Sequence, residues 1–101
     1  MSNGKIADLP IFDAAVHLDT PERQAAYIAA VLEDGDIAEI RDAIGVVARA
    51  RGMAEIAAAA NLNPKSMYRA LSSSGNPEFA TVFKVLSAMG FTLTIKQQDA
   101  A

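Results

Sequence analysis

The 101-residue chain contains no cysteine, no tryptophan and a single histidine. Without thiols there is no disulfide framework and no thiolate metal site, and one imidazole leaves most zinc and acid–base arrangements short of groups. No run approaches the roughly 20 apolar residues that span a bilayer, and the first residues lack the basic and apolar stretches of a secretory signal. The expectation is a cytoplasmic protein with no membrane segment. Positive charge is also scarce: nine Lys and Arg stand against twelve Asp and Glu, a formal −3. Taken as a total, that disfavours a nucleic-acid partner. What is present is a globular balance, 51% hydrophobic and 21% charged residues, in a length that suits one domain with one modest core.

The charge is unevenly placed. Residues 1–60 hold five basic side chains (Lys5, Arg23, Arg41, Arg49, Arg51) and ten acidic ones, a net −5. Residues 61–96 hold Lys65, Arg69, Lys84 and Lys96 against Glu78 alone, a net +3, and Asp99 supplies the remaining −1. Such asymmetry fits two surfaces, one suited to a polyanion and the other to a basic partner.

Residues 1–11, with Gly4, Asp8 and Pro10 and no periodicity, read as a loose lead-in. Thr20-Pro21 is an N-cap followed by proline at the first helical position. Ala25, Ile28, Ala29 and Leu32 follow at helical spacing up to Gly35. Asp36 with Glu39 forms a box-like cap for a second helix, with Ile37, Ile40, Ile44, Val47 and Ala48 on one face and Arg49, Arg51 and Gly52 at its end. A short alanine-rich helix runs from Met53 to Ala60, closed by Asn61, and Asn63-Pro64 opens another that reaches about Leu71. After the Ser72–Gly75 loop, Asn76-Pro77-Glu78 repeats the cap-plus-proline opening. Phe79, Val82, Phe83, Leu86 and Met89 form the apolar stripe of a last helix ended by Gly90.

Phe91 to Lys96 alternates strictly between apolar and polar residues, the period of a half-buried strand. The sequence offers it no second strand. It either pairs with a twin or a partner chain through Phe91, Leu93 and Ile95, or lies extended against the helices through those same residues.

The two short helices carry the functional signal. Ala57 is the small residue a tight helix crossing requires, Asn61 takes the left-handed turn position, Leu62 is the apolar turn residue, and Met67 and Ala70 face inward with Leu71 beside them. This is helix-turn-helix spacing. It leaves Asn63, Lys65, Ser66 and Arg69 outward, able to meet base edges or phosphates, with Tyr68 ambiguous. Ser72, Ser73, Ser74 and Asn76 add hydroxyls and an amide where a phosphate backbone would pass, or form a plain surface loop. Tyr27 and the Phe79/Phe83 pair fit core packing better than a stacking platform. The whole reads as an all-α bundle of five to six helices with a helix-turn-helix and one short C-terminal β-strand. The domain occupies residues 12–96, with a tail over 97–101.

Arg51-Gly52-Met53, Ile56-Ala57, Asn61-Leu62, the run from Ser66 to Ser72, Gly75-Asn76-Pro77-Glu78-Phe79 and the stretch from Thr81 to Gly90 closely resemble the addiction-module antidote proteins. These are HigA-like antitoxins of the phage-repressor helix-turn-helix class. The likeness reaches upstream through Phe12-Asp13-Ala14-Ala15, Leu18, Tyr27-Ile28 and Gly35-Asp36. Asn61 stands where glycine is usual, and Pro64 where many relatives offer DNA a polar side chain. The resemblance implies an antitoxin that neutralises a RelE/ParE-like toxin and, as a homodimer, represses its own operon through operator DNA. Glu33, Asp34, Asp36, Glu39 and Asp42 are then candidates for meeting a basic toxin, or they simply form a solvated helix face. The other reading is a protein-interaction module that inhibits a partner enzyme without touching DNA. No catalytic or metal-binding residue and no cofactor is expected: His17, read as a surface or helix-end residue, is far in sequence from the serine loop, whose hydroxyls lack a base.

Overall fold

The computed structural model describes residues 18–99. The lead-in over residues 1–11, the Phe12–Ala15 segment and His17 lie outside the described residues, as do residues 100–101. Among the described residues five helices follow in order: α1 (Pro21–Asp34), α2 (Ile37–Arg51), α3 (Met53–Ala60), α4 (Pro64–Ala70) and α5 (Phe79–Ala88).

Local chemistry sets most helix ends. The Thr20 hydroxyl accepts from the Arg23 amide ahead of Pro21, and an Asp36 carboxylate oxygen accepts from the Glu39 amide at 3.0 Å. The Asn63 side chain accepts from the amides of Lys65 and Ser66, satisfying two donors that a helix start leaves open. Asn61 adopts φ 60°, ψ 46°, and the Leu62 amide reaches back to the Ala57 carbonyl at 2.8 Å, closing α3 with a Schellman turn. Gly90 does the same for α5: the Phe91 amide donates to the Leu86 carbonyl, which folds Phe91 back over the helix end.

Ile28, Ile44, Val47, Ile56, Ala57, Met67, Leu71, Val85, Leu86 and Met89 form the core. α3 lies at its centre, in contact with α2, α4 and α5. Ala57 is wholly buried there, as a close helix crossing demands. Gly45 sits in the middle of α2 because the Leu71 carbonyl oxygen lies 3.0 Å from where its Cβ would be. One polar brace crosses the core edge. Buried Gln24 donates to the Leu18 carbonyl and accepts from Arg51 Nε at 2.7 Å, and the Arg51 guanidinium lies 5.1 Å from the centre of the Phe91 ring. Arg51 therefore serves as a cross-link between α1, the end of α2 and Phe91 just past α5, beyond its place at the negative end of the helix dipole.

Four expectations are corrected. α5 begins at Phe79 with Glu78 as its cap, two residues after the expected Asn76-Pro77 opening. Arg41 Nη1 bonds the Gly75 carbonyl at 3.1 Å and holds that loop against α2 before the helix can start. Ile37, on the supposed core face of α2, is 75% exposed, and Phe79 is 74% exposed, because both line an open groove between α2 and α5 that no other element among the described residues fills. Phe83 is also exposed, stacking on Phe79 with centroids 6.2 Å apart. Lastly, no strand forms among the described residues: 91–99 has no regular structure, since a single chain offers Phe91, Leu93 and Ile95 no ladder partner.

Gly75 tests the loop. A Cβ at this position would collide with the carbonyl oxygens of Arg69 and Ala70. Gly75→Ala is expected to lower stability by about 2 kcal/mol, seen as a fall of roughly 10 °C in the thermal midpoint by circular dichroism. Asn61→Gly, which keeps the left-handed turn, leaves the midpoint nearly unchanged.

Candidate functional site

α4 projects from the body with one side anchored by Met67 and by Leu71 just past its end, both buried. Its remaining surface is polar: Lys65, Ser66 and Arg69 are exposed, and Tyr68 is 55% exposed. Asn63 is exposed too, but its carboxamide oxygen is occupied as the cap, so only its amino end is free to meet a ligand. Ser72 Oγ donates to the Arg69 carbonyl at 2.7 Å and shapes the turn after α4, whereas Ser73 and Asn76 are exposed. The structure thus brings Lys65, Ser66 and Arg69 onto one short helix capped by Asn63, with the serine loop directly following.

The acidic residues gather at the α1–α2 corner. Glu33, Asp34, Asp36, Glu39 and Asp42 are all exposed. Two have cationic partners: Glu33 pairs with Lys96 at 2.9 Å, and Asp42 takes both Nε and Nη2 of Arg41 on one oxygen. The Lys96 hydrogen bond and charge hold the Glu33 carboxyl below its ordinary range. Glu39 goes the other way. The Asp36 charge, partial loss of water and the nearby Asp34, which shares a side-chain hydrogen bond with it, raise its carboxyl above the ordinary 4.5, with Asp42 adding to the effect. Burial, then Asp42 and Glu39, likewise raises the Tyr27 phenol.

The model of a family described as probable addiction module antidote proteins matches residues 8–97, which take in all five helices. The chain belongs to the addiction module antidote family. An uncharacterized protein of Haemophilus influenzae is 41% identical over 90 residues, 89% of this chain and 93% of that relative. No solved structure matches the chain. An antidote implies a toxin as its partner and points to a regulatory role. Among the described residues no helix is long and apolar enough to cross a membrane.

Two open grooves flank α2 in this antidote. One, lined by Tyr27, Glu39, Asp42, Arg49, Tyr68, Ser72 and Ser73, places acidic groups beside the serine loop. The other, of about 570 Å³, runs between α2 and α5 and is walled by Leu32, Ile37, Ile44, Phe79, Val82 and Leu93. Sequence reasoning missed this apolar groove because it assigned Ile37 and Phe79 to the core. A signal was nevertheless available: Phe79, Val82, Phe83, Val85, Leu86 and Met89 wrap wider than one face of a helix, more than a single core contact covers.

Because the fold raises the Glu39 carboxyl, ionised Glu39 opposes folding at neutral pH, and the opposition fades as pH falls through the raised value. Glu39→Gln is expected to raise the thermal midpoint at neutral pH. The gain should disappear well below pH 4.5, the ordinary glutamate value, in melts recorded across the pH series.

Proposed function

We infer that this antidote is a DNA-binding antitoxin that represses its own operon and neutralises a RelE/ParE-like toxin. The observation that carries the reading is the α3–α4 pair. The left-handed Asn61 turn and buried Ala57, Met67 and Leu71 hold α4 so that Lys65, Ser66 and Arg69 stand clear of the core. That arrangement suits a helix-turn-helix whose second helix enters a major groove with its N-terminal residues leading. Lys65 and Arg69 supply charge and base contacts, Ser66 and the amino end of Asn63 further hydrogen bonds, and Ser73 and Asn76 contacts to the passing backbone, with Ser72 shaping that turn. Two copies joined through Phe91–Ile95 read half-sites about one helical turn apart. The toxin meets the acidic corner of Glu33, Asp34, Asp36, Glu39 and Asp42, where charge complementarity governs approach rate and partner choice.

One observation favours a second reading, an inhibitor that does not bind DNA. Glu39 and Asp42 line the same groove as Ser72 and Ser73, where they repel a phosphate. A mobility-shift titration with the DNA upstream of the gene separates the two. Arg69→Ala is expected to weaken binding by about 1–3 kcal/mol at fixed salt, and Lys65→Ala to reduce the salt slope by about one. If the wild-type chain shifts no DNA while still binding the toxin, the inhibitor reading holds.

A further inference from the structure

The groove on the other flank of α2, of about 760 Å³, combines acid, aromatic rings and aliphatic surface. Tyr27 and Val31 come to it from α1, Glu39, Asp42 and Val46 from α2, and Tyr68 from α4. Residues 39, 42 and 46 are spaced to lie along one stripe of α2, which is how two carboxylates and a valine come to share a wall. Beyond them, buried Leu71 extends the aliphatic lining.

The carboxylates here are short of cations. Among the described residues no Lys or Arg pairs with Glu39, and Asp42 engages Arg41 through one oxygen only, which leaves its second oxygen for a donor from outside. The Asp36 charge raises the Glu39 carboxyl most, with lost water, Asp34 and Asp42 adding to it; burial, then Asp42 and Glu39, raises the Tyr27 phenol. The charges acting on both groups are carboxylates, so Arg49, also on the groove's lining, offsets neither. A bound cation would relieve both.

One kind of side chain matches the whole lining. Arginine lays its aliphatic stem along apolar surface while its planar head donates paired N–H groups to carboxylates and stacks on aromatic faces. Lysine would answer the charge without the planar fork. A phosphate would meet two like charges, and an aliphatic side chain would take water from the carboxylates without replacing its hydrogen bonds.

We propose that the groove lined by Tyr27, Glu39, Asp42 and Tyr68 takes an arginine side chain of the toxin, its guanidinium on the two carboxylates and its stem along Val31 and Val46. This rests on the toxin-binding reading above and narrows the acidic corner to one anchoring point. Glu33, Asp34 and Asp36, outside the groove, steer the approach, whereas Glu39 and Asp42 hold the side chain once it is bound.

Binding kinetics of the full chain with the toxin encoded beside it test this. Glu39→Gln is expected to keep the helical circular dichroism signal and to weaken binding about 10-fold or more through faster dissociation, as loss of one partner of a close charge pair does. Tyr68→Leu, which keeps an apolar side chain and removes the ring, is expected to act in the same direction. Glu33→Gln, at an exposed position, is expected to slow association instead. An alanine scan of the toxin's arginines then finds the guest: at one of them, the substitution combined with Glu39→Gln costs no more than either alone. Additive losses at every arginine, or toxin binding that Glu39→Gln and Tyr68→Leu leave intact, overturn the groove assignment while the toxin reading stands. A wild type that does not bind the neighbouring gene product overturns both. If the two variants bind the toxin normally and alter only the shift of operator DNA, the groove belongs to DNA and the proposal falls.

Discussion

The arrangement depends on how closely three helices can approach an eight-residue one. α3 contacts α2, α4 and α5, and it can do so because its sequence after Ile56 is four alanines, of which Ala57 and Ala60 are buried. A larger side chain at Ala57 would force the neighbours apart in a close-packed interior that tolerates little added volume. The same proximity accounts for Gly45, against which the Leu71 carbonyl rests, and for the burial of Met67 and Leu71 at α4. The tight centre holds α4 at the edge of the bundle, and its polar side chains face outward as a consequence.

Around that centre the molecule divides its surface. On the α4 side, Lys65, Ser66 and Arg69 stand on a helix whose own cap consumes the Asn63 oxygen. At the α1–α2 corner, carboxylates crowd closely enough that Glu39 holds its proton more tightly than an isolated glutamate. Between α2 and α5 the surface is apolar. α2 borders all three regions, and Arg41 on it ties the acidic corner, through Asp42, to the loop after α4, through Gly75. A partner bound at either groove therefore sits against a helix that also supports the other surfaces.

Much of the fold was legible along the chain, wherever a short segment carries the information. Thr20-Pro21, Asp36, Asn61 and Asn63-Pro64 each bring the cap or turn that their own backbone requires, so α1 to α4 fall where the spacing predicts. The cap-plus-proline rule failed at Asn76-Pro77, where Arg41, 34 positions before Gly75, holds the loop. The apolar stripes of α2 and α5 were read correctly as stripes and wrongly as wholly buried ones. Periodicity reports which residues share a face and says nothing of whether the neighbouring helix closes over that face or leaves an open groove. The candidate site divides similarly. Which side chains α4 turns outward follows from helical spacing around Met67, whereas the proximity of Ser72 and Ser73 to Glu39 and Asp42 depends on contacts between distant segments.

By itself the sequence determined the helices, the left-handed Asn61 turn, the split between acidic and basic segments and membership of the antidote family, because each is written in local backbone preference or residue identity. Tertiary structure alone decided that Arg51 braces Gln24 and Phe91, that Ile37 and Phe79 reach solvent, and that the alternating tail has no ladder within one chain. The reason is physical. Burial and strand pairing are properties of two surfaces brought together, and a chain specifies each surface separately before folding places them side by side.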